Sequence, residues 1–205
     1  MRPGKHIWRR IGAQGQLLAP VYCALIIFLA NAATAQDRPD FATCIAIAMG
    51  RFERALERNP GPEAPNIALL SQRDVLICGG AGIQTCDLQD DRIGCQNQLS
   101  AEQVALRAEV LASLPRPGAL EAPETGWSQS LYPQMWEIAH GRSAGPDCAG
   151  QGALMEAWCR AVEINRDLAM AIMTWQMARL LQAVPSAPEA GWIAPAPPPM
   201  PVPRP

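Results

Sequence analysis

Residues 152–184 read GALMEAWCRAVEINRDLAMAIMTWQMARLLQAV, and this stretch decides the fold class. Leu154, Trp158, Ala161, Leu168, Ile172 and Trp175 step by threes and fours, while Glu156, Arg160, Glu163, Arg166 and Asp167 fall on the other side. That spacing predicts one long amphipathic helix with an apolar face turned to a core. Asn165 interrupts the apolar register and marks a point where a polar contact inside the core would fix which helices pair.

Working outward, the spacing Phe41, Ile45, Ala48, Phe52, Leu56 predicts a second amphipathic helix over residues 41–58, capped by Asp40 or Thr43 and stopped by Asn59-Pro60-Gly61. Ile67, Leu70 and Ile77 predict a helix over 66–78, ended by Gly79 and Gly80, although Val75 to Ile77 also fits a short strand. The segment from Cys78 to Cys95 reads as a polar cross-linked loop. Ser100 and Gln103 have the spacing of a capping box before a helix over 101–114, which Pro115 terminates. A proline- and glycine-bearing linker follows, with Trp127 at its far end. Pro133 opens a shorter helix that runs from Tyr132 or Pro133 to His140, with Gly141 beyond it.

The expected architecture is mostly α: a disulfide-stapled bundle of four to five helices over residues 36–184. Residues 1–35 and 185–205 lie outside it. Arg2, Lys5, Arg9 and Arg10 precede an apolar run from Leu17 to Ala30 and then small residues, which is the layout of a secretory signal peptide with a cut after Ala35. Ala30 and Ala32 offer a second cut, and an uncleaved membrane anchor is the alternative. At the other end, nine of the last 21 residues are proline, which predicts an extended, disordered tail over 185–205.

Removing residues 1–35 lowers the basic count from 17 to 13 against 19 acidic residues, a net charge of about -6. Such a chain lacks the basic excess that nucleic acid binding needs. Lys5 is the only lysine, so the mature chain has no lysine for a Schiff base or a phosphate loop.

Seven cysteines become six once Cys23 leaves with the signal: Cys44, Cys78, Cys86, Cys95, Cys148 and Cys159. An even number in an exported chain reads as three disulfides, and sequence alone leaves the pairing open. Local geometry favours Cys44 with Cys78, Cys86 with Cys95 and Cys148 with Cys159. No Cys-x-x-Cys occurs and His140 is the one imidazole left, so no metal site or cofactor is expected.

Catalytic machinery is equally thin. A Ser-His or Cys-His device would have to use His140, which is better placed to interact with the exposed carbonyls at a helix end. Glu121, Glu124, Glu137 and Asp147 lie where a carboxylate pair could form, but an acidic chain generates such pairs without function. Asp87, Asp90 and Asp91 lack calcium-loop spacing and read as a solvated loop. Among the tryptophans, Trp136, Trp158 and Trp175 fall on apolar helix faces and are expected in the core. Trp127 and Trp192, in loop and tail, are the candidate binding residues, as exposed contacts or through a tail that docks back.

The pair Cys86 and Cys95, followed by Gln98-Leu99-Ser100 and a helix to Leu114, resembles the small helical periplasmic modules of the LprI-type lysozyme-inhibitor family. The likeness spans about 30 residues, and the basic and glutamate positions that the family carries between its cysteines are missing. More broadly, the chain resembles exported helical, cysteine-containing proteins of Gram-negative bacteria. The resemblance implies a periplasmic or secreted protein. The expected function is non-enzymatic protein binding in the cell envelope, as an inhibitor of or adaptor for a cell-wall enzyme. The alternatives are a small hydrolase using His140 or a carboxylate pair, and a membrane-tethered structural component if the N-terminal segment is retained.

Overall fold

A computed structural model describes residues 40–58, 70–120, 126–141 and 148–194. Residues 1–39, which include the expected signal segment, and residues 195–205 lie outside these. The described residues form five α-helices and a single 3-10 turn: α1 Phe41–Glu57, α2 Arg73–Cys86, α3 Arg92–Ser113, the turn Pro117–Ala119, α4 Gly126–His140 and α5 Ala153–Leu180. No strand occurs among them. The expected mostly-α, disulfide-stapled architecture is therefore the observed one.

Helix α5 is the axis, packing against α2, α3 and α4. Its buried face carries Ala161, Leu168, Ile172 and Trp175, and the core adds Phe41, Ile45, Met49 and Phe52 of α1 and Val75 of α2. Asp40 caps α1 by accepting a hydrogen bond from the Thr43 amide at 2.7 Å, and that bond holds its carboxyl below the ordinary value. Three bridges close the scaffold: Cys44 with Cys78 between α1 and α2, Cys86 with Cys95 across the α2–α3 turn, and Cys148 with Cys159 between α5 and the loop before it.

Several boundaries differ from the sequence reading. Gly79 and Gly80 do not end a helix, and α2 begins later than expected and runs through both glycines to Cys86. A Cβ built on Gly79 would lie 2.1 Å from the Asn165 carboxamide, so this glycine permits α2 and α5 to approach closely. Asn165 itself is buried and donates to the Leu76 carbonyl at 3.3 Å. The expected loop between Cys78 and Cys95 shrinks to one tight turn, because Asp91 caps α3 and the helix begins at Arg92, nine residues before the expected start. Ser100 is no cap, since its hydroxyl donates to the Gln96 carbonyl within the helix. Helix α4 likewise begins at Gly126 and continues through Pro133, held by the burial of Tyr132 and Met135.

The largest difference lies after α5. Gln182 adopts φ 57°, Ala183 N–H donates to the Ala178 carbonyl and Gln182 N–H to the Arg179 carbonyl, which together make a Schellman stop. This reversal sends residues 184–194 back over the core, where Val184, Ala187 and Trp192 are buried. Residues 185–194, expected as the start of an extended tail, are thus part of the folded domain, and only two of the nine prolines fall in them.

Candidate functional site

The exposed part of α5 follows from helix lengths. Phe52 of α1 meets Trp175, with ring centroids 5.8 Å apart, and α1 starts eleven residues before Phe52, about 16 Å away at 1.5 Å per residue. Thr174 donates to the Met135 carbonyl, and α4 ends five residues later, about 8 Å further on. Trp158 lies roughly 24 Å along α5 from Thr174. Both α1 and α4 therefore stop short of the first turns of α5, which, among the described residues, only the tip of α2 and α3 accompanies.

On those turns Leu154, Met155 and Trp158 are 40%, 46% and 40% exposed. Spacings of three and four place them side by side on one face, and Val162, one turn on, is half-buried against the core. Trp158 and Leu154 were expected in the core. Their register is that of the buried stripe, but neither α1 nor α4 extends far enough to cover them. The neighbouring loop is pinned by the Cys148–Cys159 bridge and by the Gly150 amide, which donates to Glu156 at 2.9 Å. Glu163 pairs with Arg166 one turn further along.

The sequence candidates fall elsewhere. Trp192 is 5% exposed and packs edge-on to Trp175, so its indole belongs to the core rather than to a contact surface. Trp127 lies in the first turn of α4, and its side chain is outside the described residues. The six cysteines act as three structural cross-links. His140 is exposed at the last turn of α4, stacks on Trp136 at 3.7 Å between ring centroids, and makes its single hydrogen bond among the described residues through Nδ1 to the Trp136 carbonyl, 2.8 Å away. That contact completes a helix end, as a C-terminal histidine should, and brings no nucleophile to the ring.

Of the acidic residues, Asp91 caps α3 and Asp87 accepts from Gln96, so they serve the turn. Glu137 is exposed on α4, while Glu121, Glu124 and Asp147 lie outside the described residues. No group of three or more histidine, cysteine, aspartate or glutamate side chains able to hold a metal ion occurs among the described residues. A shallow groove of about 390 Å³ runs between α1 and the returning segment, lined by Met49, Glu53, Arg54, Arg179, Glu189 and Ile193 among others. In it Arg179 makes a two-pronged ion pair with Glu53 at 3.2–3.3 Å. The Ser186 hydroxyl and amide both donate to Glu189, which holds its carboxyl below the ordinary value. Glu53, Arg179 and Glu189 are thus engaged within the groove, with each other or with Ser186.

No family model, curated protein or solved structure matches this chain.

Proposed function

We propose that the chain is an exported, non-enzymatic protein-binding module of the cell envelope, an inhibitor of or adaptor for a cell-wall enzyme, and that Leu154, Met155 and Trp158 form its contact surface. The observation that carries this reading is the exposed apolar face on the first turns of α5, a part of the helix that α1 and α4 do not reach. Tryptophan and methionine are residue types enriched at binding surfaces, and a pinned, pre-ordered helix loses little entropy on binding. Three disulfides suit an oxidising compartment. Among the described residues no helix is long and apolar enough to cross a membrane. The net negative charge of the mature chain favours a cationic partner, whose attraction salt would screen.

The test uses a c-type lysozyme as a cationic cell-wall enzyme. Calorimetric titration into residues 36–205 should give binding that weakens as salt rises from about 0.05 to 0.5 M. Trp158→Ala should weaken it by roughly tenfold or more with the helical circular dichroism unchanged. Absence of binding, or binding indifferent to Trp158→Ala, would contradict the proposal.

A further inference from the structure

The core-facing row of α3 is polar where a bundle helix is normally apolar. Gln96, Ser100 and Gln103 recur at spacings of four and three, and all are buried, the two glutamines with no exposed surface. Arg107 continues the row, and only then do Val110 and Leu114 restore hydrocarbon. Between Arg92 and Arg107 a single apolar side chain, Leu99, is buried. Neither end of the Gln103 carboxamide has a hydrogen-bond partner among the described residues, and Gln96 Oε1 and Arg107 Nε also lack one. Buried polar atoms left unpaired regain hydrogen bonds when water reaches them, so separating this row from α5 costs less than separating an apolar one.

The adjoining half of α2 is weak for a different reason. Gly79, Gly80 and Gly82 lie inside that helix, and glycine lowers helix stability at each interior position. The Cys86–Cys95 bridge ties the end of α2 to the start of α3, so the two segments move together. At the far side Arg107 donates to the Ala139 carbonyl at the end of α4, which fixes where the loose part stops.

We infer that the segment between Gly80 and Arg107 forms a hinged tip that opens from α5 as one unit, pivoting at Gly79-Gly80 and at the anchored Arg107, while the rest of the bundle stays folded. Opening uncovers Ala157 and Ala161, buried beside Trp158, and so lengthens the apolar face of α5. That last consequence rests on the binding reading above. The opening itself does not, because it is measured on the free protein.

Hydrogen exchange followed by mass spectrometry on the oxidised chain tests the inference. Amides of 92–107 should exchange through a local opening well ahead of those of 165–178. Gln103→Leu should slow the tip by about tenfold or more, because it removes the unpaired carboxamide. Gly80→Ala, whose Cβ would meet no atom within 4 Å, should slow it about fivefold through helix propensity. The second variant decides alone if Gln103→Leu does not fold. Equal protection of 92–107 and 165–178 would overturn the inference. So would a tip that neither variant slows, the outcome expected of a closed seam whose amides are bridged by water.

Discussion

The Trp192 indole meets that of Trp175 edge to face, with ring centroids 5.1 Å apart and planes at 88°, although the two are separated by the stop of α5 and a reversed chain. Trp175 has no exposed surface, so the segment after α5 completes the core around it. Trp192→Ala should therefore destabilise the domain by about 3–5 kcal/mol, as loss of a buried aromatic does. Urea denaturation checks this, and a change below about 1 kcal/mol would show the returning segment to be dispensable.

Adjacent glycines of α2 should respond in opposite directions. Gly79→Ala drives a methyl into Asn165 and should cost about 1–3 kcal/mol, because the carboxamide is held on the Leu76 carbonyl and cannot move freely. Gly80→Ala meets open space and should stabilise by about 0.5–1 kcal/mol. Paired thermal melts separate the two.

This pair also shows what the sequence withheld. Read locally, two glycines in succession end a helix, and nothing in residues 66–80 reveals that Asn165 of a distant helix requires the space. The long amphipathic stripe, by contrast, depends only on its own period, and α5 was legible from it. The cysteine bridges follow from short separations and from faces that the same periodicity sets. Exposure of Trp158 was not legible, since its register is that of the core and only the lengths of α1 and α4 leave it bare. The return of residues 185–194 was hidden by averaging the proline count over the whole C-terminal stretch.

Alkaline pH should loosen the fold through Tyr132. Its hydroxyl donates to the Pro115 carbonyl at 2.8 Å, and burial pushes its pKa well above 10.0. The raised folded-state value means that the contribution is fully present below the unfolded value and is lost as pH rises from there towards the folded one. Stability should fall above about pH 10, and the fall should be smaller in Tyr132→Phe, which itself costs about 1 kcal/mol at neutral pH through the lost hydrogen bond. Denaturation at pH 8 and 10.5 gives the comparison.

The bridges should differ in worth. Cys44–Cys78 spans 34 residues and Cys86–Cys95 spans 9, so chain-entropy arguments give about 4 and about 3 kcal/mol for their removal. Paired cysteine-to-alanine variants should lose stability in that order in chemical denaturation. The reverse order would show that the α2–α3 turn carries more of the fold than its loop length implies.

The central claim is that the open face of α5 is where this protein meets its partner. A photo-crosslinking amino acid placed singly at positions 154, 158 and 160 in cells that export the chain tests it most directly, because Leu154 and Trp158 share the apolar face and Arg160 is exposed on the charged one. One discrete protein adduct is expected from 154 and 158 and none from 160. Adducts from 160 alone, or equal yields from all three positions, would contradict it.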